Sequence, residues 1–255
     1  MARPTVVITR PEAQATPWAQ ALQQAGWPVL RLPLLRIEPL VGPGTPPPWA
    51  GACTGWHAVM AVSPTAVEVV RAAGWPPPSA PVRLWAPGAG TARALRAWGV
   101  PPDRLDAPDG GTDVPTDSEV LWGLVRHQVR PGARVLVLRG ASEGGRQGRD
   151  WLLQQVRAAG GVAQPLVVYR RTVPAWDACQ RAEAERAADG GVWLFSSCEA
   201  VAALQRLLPQ QRWEAAAALA THPRIAAAAQ AAGFGRVLTV AAHEAALRQA
   251  LESLA

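Results

Sequence analysis

Val6-Val7-Ile8-Thr9-Arg10, followed at once by Pro11 and Glu12, is the stretch of sequence that decides the fold. Its β-branched run is typical of a buried parallel strand. A proline in the first turn of a helix gives up an N–H that has no partner there, so Pro11 and Glu12 predict a helix start. Gly26 predicts the end of this helix, and residues 29–37 predict a second strand. The segment therefore predicts a strand–helix–strand unit.

The same order of elements returns later in the chain. Residues 134–140 predict a strand, and a glycine-rich turn with Arg146 and Arg149 follows. Residues 151–156 then begin an amphipathic helix, and residues 166–171 predict another strand. A recurring supersecondary unit indicates that the chain contains two copies of one architecture.

Two further elements are doubled. A strand that ends in serine and leads into a helix is predicted at residues 58–67 and again at 191–201. The segment 83–99 resembles the segment 224–233 in the same way, with 83–86 and 224–226 as the strand-like parts. Alternation of strands and helices, present twice, predicts an α/β protein made of two related lobes with parallel sheets.

The repeat order leaves open how the two lobes divide the chain. Either the lobes follow one another, or the chain crosses between them near residues 34–39 and 168–173, which makes one lobe discontinuous. The proline-rich stretches at 42–49, 76–81 and 101–115 are interpreted as connections and not as linkers between independent bodies.

The composition favours a globular protein, because hydrophobic residues make up 49% and charged residues 17% of the chain. The formal net charge is +6 with a pI near 10.7, and every basic residue is an arginine. Without lysine, the chain can form neither a Schiff base nor the lysine contact of a P-loop. The arginines are scattered along the chain, which argues against a nucleic-acid-binding protein.

The N-terminal residues lack the pattern of a secretory signal, and no apolar run of about 18 residues occurs, so we expect a cytoplasmic protein without a membrane span. Cys53, Cys179 and Cys198 are far apart and are interpreted as reduced, buried thiols. The four histidines have no metal-ligand spacing, so no metal is expected.

Ligands of open parallel sheets bind beyond the carboxyl ends of the strands. Helix N-termini at these ends attract anions through free N–H groups and the helix dipole. N-capping alone explains each serine or threonine there, but their recurrence in both lobes favours a shared anion site in the cleft between the lobes. The candidate binding residues are Arg10, Ser63, Thr65, Gly90, Thr91, Arg139, Ser196 and Ser197.

Tyr169 is the only tyrosine of the chain, and two interpretations of it stay open. It is either a core tyrosine with a hydrogen-bonded hydroxyl or a phenol that donates a proton in an arginine-lined cleft. Several common signatures of other classes are missing from the sequence. The stretch 88–93 lacks the third glycine of the dinucleotide fingerprint, and no HExxH or Walker pattern occurs.

An ordered set of short motifs runs along nearly the whole chain. It comprises residues 6–12 with Gly26 and 32–34, the serine-bearing turn 62–67, and the segments 90–95, 117–121, 138–140, 168–171 and 195–197. This set resembles the uroporphyrinogen-III synthase family. The chain departs from the family pattern at Ala86, where glycine is common, and at residues 142–149, which form a longer turn than R-G-x-x-x-R.

The resemblance implies two three-layer α/β/α lobes with a flavodoxin-like strand order, joined by a two-stranded ladder. Lobe 1 would be discontinuous, at residues 1–36 and 171–255. Lobe 2 would cover residues 40–167, with connecting strands at 37–39 and 168–170. The resemblance also implies a hydro-lyase, with no metal or cofactor, that cyclises hydroxymethylbilane to uroporphyrinogen III with loss of water and inversion of ring D. A monomer is the default expectation. Tyr169 is the expected proton donor.

Two other functions are considered from the sequence. A non-catalytic two-lobed binding protein for a small polyanion would also need hinged α/β lobes. A nucleic-acid-binding protein would explain the high pI, but the scattered arginines and the lack of an aromatic–basic motif count against it.

Overall fold

The computed structural model describes residues 3–50, 55–108, 118–142 and 150–254. In chain order, the strands of this part are β1 (Val6–Ile8), β2 (Val29–Arg31), β3 (Arg36–Pro39), β4 (Trp56–Ala61), β5 (Arg83–Trp85), β6 (Leu105–Asp106), β7 (Arg134–Ser142), β8 (Val162–Thr172), β9 (Val192–Phe195), β10 (Ala217–Ala220) and β11 (Arg236–Thr239). The helices are α1 (Glu12–Gln24), α2 (Pro64–Ala72), α3 (Ala89–Ala97), α4 (Ser118–Val125), α5 (Trp151–Ala158), α6 (Ala178–Ala187), α7 (Cys198–Leu207), α8 (Pro223–Ala231) and α9 (Glu244–Glu252). Short 3₁₀ helices span Pro102–Arg104 and Arg126–Gln128.

The chain folds into two compact units. Unit 1 consists of residues 1–37 and 172–255, and unit 2 consists of residues 38–171. The chain leaves unit 1 within β3 and returns to it within β8, and these two strands are neighbours in one sheet. The predicted α/β class with two lobes and parallel sheets is confirmed.

The sheet of unit 1 has the order β11-β10-β9-β1-β2, with parallel neighbours throughout. Adjacent residues of β1 face opposite cores, as the strand period of two requires. Val7 packs in a core that includes residues of α6, α7 and α8, whereas Val6 and Ile8 pack with residues of α1 and α9. Helices therefore cover both faces of this sheet, which gives three layers.

The sheet of unit 2 has the order β3-β8-β7-β4-β5-β6, and its neighbours from β8 to β6 are parallel. Met60 of β4 and Val137 of β7 pack in a core with residues of α4 and α5. Val59 lies between Ala58 and Met60 and faces the other side of the sheet, where α2 contacts β4 and β7. It is fully buried, so helices cover both faces of this sheet as well.

The two units share one spatial arrangement with different chain order. Unit 1 reads 2-1-3-4-5 when its strands are numbered along the chain, which is the flavodoxin-like order. Unit 2 has the same arrangement if β7 and β8 are counted first, because they occupy the places of β1 and β2. The sequence repeat matches these same segments, β1–β2 with β7–β8. The strands of unit 2 therefore follow each other along the chain in a circularly permuted order relative to those of unit 1.

The predicted strand at residues 29–37 is two strands. β2 ends at Arg31 and β3 begins at Arg36, and the two belong to different sheets. Leu34 is the last residue of this run that bonds to the first strand region, through Leu34 N–H to Thr9 O at 3.1 Å. A largely apolar run whose only turn residue is Pro33 does not reveal where a chain changes its pairing partner.

The repeat comparison places a strand-like part at residues 224–226, and this is wrong. These residues belong to α8, and the strand that corresponds to β5 is β10 (Ala217–Ala220). The sequence of β10 contains three alanines and one leucine, and alanine is depleted in strands. Its pairing with β9 and β11 is what makes it a strand.

The prediction of buried thiols is wrong for two cysteines. Cys179 and Cys198 are free and exposed, because they lie in the first turns of α6 and α7 on the side away from the core. Cys53 lies outside the described residues. In the part of the chain that is described, no helix is long and apolar enough to cross a membrane.

Candidate functional site

The point in unit 2 where the chain reverses its direction across the sheet lies between β4 and β7. The chain continues from β4 towards β5 and β6 on one side, and from β7 towards β8 on the other. The carboxyl ends at such a switch point form the crevice in which open parallel sheets bind ligands. Val62 N–H donates to Leu138 O at 3.1 Å, so the ends of β4 and β7, with Ser63 and Arg139, are neighbours.

Ser63 caps α2 directly after this point. Its Oγ accepts a hydrogen bond from Ala66 N–H at 3.3 Å, and Pro64 follows in the first turn, where its lack of an N–H removes no helical bond. Thr65 and Thr91, in the first turns of α2 and α3, are buried. A methyl group on Gly90 would lie 3.5 Å from Pro64 Cγ, so the first turns of the two helices are adjacent.

Tyr169 reaches the same place from β8. Its side chain is 3% exposed, and its Oη lies 3.3 Å from Ser63 Oγ, within hydrogen-bond distance. The guanidinium carbon of Arg171 lies 5.7 Å from the centre of the phenol ring. The structure therefore brings together two of the sequence-predicted residues, Tyr169 and Ser63, across the end of the intervening strand β7.

Arg139 is buried at the end of β7, with 4% exposure. Its NH1 lies 2.5 Å from Asp150 Oδ1, in an ion pair whose carboxylate side chain is about half exposed. The Asp150 carboxylate therefore compensates part of the positive charge of Arg139. The two arginines of the glycine-rich turn, Arg146 and Arg149, lie outside the described residues.

Unit 1 has a second set of polar residues at its own switch point, between β1 and β9. The hydroxyl of Thr9 is buried and donates to Leu194 O at 2.5 Å, which joins the two strand ends. Ser197 caps α7 by accepting from Ala200 N–H at 3.1 Å. Ser196, which precedes it, is half buried.

Arg10 begins the turn between β1 and α1. Its guanidinium carbon lies 5.2 Å from the centre of the Trp18 ring, a geometry in which a cation and an aromatic face attract each other. Burial lowers the pKa of Arg10 from its ordinary value, because it removes water from the charged form. Arg10 therefore presents a partly desolvated cation at the carboxyl ends of the unit 1 strands, where unit 1 is expected to bind anions.

Sequence reasoning missed two contributors. Asp150 pairs with Arg139, although the sequence between these two residues gives no signal for the pairing. His222 caps α8 through its Nδ1, which accepts from Arg224 N–H at 3.1 Å. The order Thr221-His222-Pro223 resembles the polar residue and proline that open α2 and could have indicated this cap, had the preceding strand β10 been recognised.

A cavity of about 770 Å³ lies at the amino ends of the unit 2 strands, opposite the carboxyl ends described above. Its walls include Trp56 at the start of β4, Arg83 at the start of β5, Val135 near the start of β7, and several prolines. Arg83 donates two hydrogen bonds to the Asp106 carboxylate, at 2.6 and 2.7 Å, which raise the pKa of Arg83. Because these walls are mainly apolar and the cation is already paired, the carboxyl ends of the strands fit an anionic ligand better.

In residues 3–50, 55–108, 118–142 and 150–254, no three His, Cys, Asp or Glu side chains lie together as a metal site would require.

The comparisons with known proteins agree with this arrangement. The family model described as uroporphyrinogen-III synthase HemD matches residues 16–247 of the chain. The solved structure of uroporphyrinogen-III synthetase from Helicobacter pylori is similar with a TM-score of 0.63 and 14% identity, over 99% of this chain and 100% of that chain. A mutant uroporphyrinogen III synthase from Thermus thermophilus gives 0.57 and 18%, over 98% of each chain. Identities this low indicate the fold, whereas the family model spans most of the sequence. The chain belongs to the uroporphyrinogen-III synthase family.

Proposed function

We propose that the protein cyclises hydroxymethylbilane to uroporphyrinogen III, with loss of water and inversion of ring D, as a hydro-lyase of tetrapyrrole biosynthesis. The observation that carries this proposal is the family match over residues 16–247. The polar strand ends of both units support it, because they suit a substrate with eight carboxylates.

The reaction needs a defined geometry more than an exceptionally reactive group. Loss of the terminal hydroxyl as water leaves an azafulvene cation, which ring D attacks through its substituted carbon to form a spiro intermediate. That intermediate fragments and closes again with ring D inverted. Since the free substrate also closes by itself to the other isomer, holding one folded conformation is the main task of the protein.

Tyr169 is the residue that we propose as proton donor to the leaving hydroxyl. The C–O bond breaks as the phenol proton moves to the oxygen, which leaves as water. Closure of the macrocycle releases one proton, so the phenol is restored in the overall balance. Its burial and its contact with the Ser63 hydroxyl support this role, because both fix the orientation of the phenol.

The substrate carboxylates are proposed to bind at the helix N-termini and arginines of the two switch points. In unit 2 these are Ser63, Thr65, Gly90, Thr91 and Arg139, and in unit 1 Arg10, Ser196 and Ser197. For Arg139, a substrate carboxylate would have to share or replace the contact with Asp150. We further propose that the enzyme is monomeric and cytoplasmic.

The experiment that tests the function is incubation of the purified protein with freshly generated hydroxymethylbilane, followed by oxidation and separation of the porphyrin isomers. The proposal expects mainly isomer III, with spontaneous isomer I in the sample without protein. A binding protein for polyanions would bind the substrate and leave the isomer ratio at the spontaneous value.

A further inference from the structure

The side chain that Gly140 lacks would occupy the place of the Tyr169 ring. Gly140 in β7 is the register partner of Tyr169 in β8. A methyl group on Gly140 would overlap ring atoms Cζ and Cε2 and lie 2.7 Å from Oη. Carbon atoms in proteins do not approach this closely, and Tyr169 is buried, so it has little room to move aside.

A bulge in the β7–β8 pairing brings the ring to this place. Arg139 pairs with Val167, but the next residue, Gly140, pairs with Tyr169, so Val168 is an additional residue in β8. Side chains alternate between the two faces of a strand, and one extra residue changes which of them meets a given partner. In a regular register Gly140 would pair with Val168 instead of Tyr169.

Ser63 completes the surroundings of the phenol at its oxygen. Ser63 Oγ accepts from Ala66 N–H at 3.3 Å and lies at the same distance from Tyr169 Oη. A serine hydroxyl has one proton to donate besides the lone pairs that accept. Capping of α2 therefore leaves the Ser63 proton available to the phenol oxygen, and this hydrogen bond strengthens when the phenol gives its own proton away.

We propose that Gly140 and Ser63 are positioning residues for Tyr169. Gly140 supplies the empty space in which the ring lies, and Ser63 orients the hydroxyl and stabilises the phenolate that forms when the hydroxyl of the substrate leaves. This inference rests on the proposed function for the identity of the reaction, but the placement of the ring is a separate claim.

The test uses the fact that Tyr169 is the only tyrosine of the chain. Incorporation of 3-fluorotyrosine gives the full-length protein one fluorine position, whose NMR resonance reports on the ring without substrate. Gly140→Ala should shift or broaden this resonance and lower kcat by about tenfold or more. Gly123→Ala in α4 is the matched control, since a methyl group there meets nothing within 4 Å. It should leave the resonance and kcat as in the wild type.

A second pair of variants covers the case in which Gly140→Ala does not fold. Ser63→Ala and Ser197→Ala each remove a capping hydroxyl of the same kind, but only Ser63 lies at Tyr169. Ser63→Ala should move the fluorine resonance and lower kcat by a larger factor than it raises KM, and Ser63→Thr should restore the resonance and kcat. Ser197→Ala should leave the resonance unchanged.

An unmoved resonance in Ser63→Ala, or in folded Gly140→Ala, would overturn the inference. So would a Ser63→Ala variant in which KM rises and kcat is kept, because Ser63 would then serve the substrate alone. If the wild type yields no isomer III, the proposed function fails, and the resonances still decide whether these residues hold Tyr169.

Discussion

Removal of one oxygen atom at Tyr169 tests the role of the phenol. We expect Tyr169→Phe to lower kcat by about 10- to 100-fold with little change in KM, because a general acid assists only the transition state. Isomer III should still dominate its product, since the contacts that fold the substrate are elsewhere. Steady-state kinetics with isomer separation checks both points. Full activity with full isomer III yield would remove the catalytic role of Tyr169.

A substitution at Arg10 is expected to change KM, whereas the substitution at Tyr169 changes kcat. Burial lowers its pKa, so the charged form is less favoured in the folded than in the unfolded chain. At any pH below the folded pKa, this difference weakens folding. Arg10→Gln should therefore raise KM by about tenfold, through loss of a charged hydrogen bond to a substrate carboxylate, without a fall in Tm. A fall in Tm with an unchanged KM would show that Arg10 has a structural role through Trp18.

The residue-level site was only partly predictable. Ser63 and Ser197 could be recognised because a polar residue after a strand and before a helix has a local signature. The contact between Ser63 and Tyr169 joins residues 106 positions apart and depends on a bulge at Val168. Local sequence contains no signal for such a register change, so the sequence leaves Tyr169 open between core residue and proton donor.

Gly26 after the end of α1 and Gly123 inside α4 give opposite predictions for the stability of the protein. Gly26 ends α1 with φ of 78°, a conformation that other residues adopt at a cost of about 1 kcal/mol or more. Gly123 lies inside α4, where alanine is favoured by roughly 0.5–1 kcal/mol. We expect Gly26→Ala to lower the free energy of unfolding and Gly123→Ala to raise it. Urea denaturation measures both, and equal effects of the two substitutions would contradict this account of the termini.

Strands were predictable where their residues favour strands. The runs at β1 and β9 are rich in β-branched and aromatic residues, and the run at β4 is mainly apolar, so the sequence indicates each of them. In contrast, β10 is built from alanine and leucine, and its state is set by the strands on either side. The break between β2 and β3 is equally a tertiary effect, because the two strands belong to different sheets and the run between them contains no turn residue except Pro33.

At the scale of the whole molecule, unit 2 is one continuous piece of chain. A fragment of residues 36–172 contains complete β3 and β8, and we expect it to unfold cooperatively without synthase activity. The fragment with the sequence-predicted boundaries, 40–167, lacks β3 and cuts β8 before Tyr169. It should be less stable, because the edge of its sheet is lost. Circular dichroism against urea compares the two, and equal midpoints would favour the shorter boundaries.

The measurement that tests the central claim most directly is the isomer composition formed from hydroxymethylbilane as the amount of wild-type protein is increased. A uroporphyrinogen-III synthase should convert the product from spontaneous isomer I to isomer III, with an initial rate proportional to protein concentration. An isomer ratio that stays at the value without protein, at every concentration of folded protein, would contradict it.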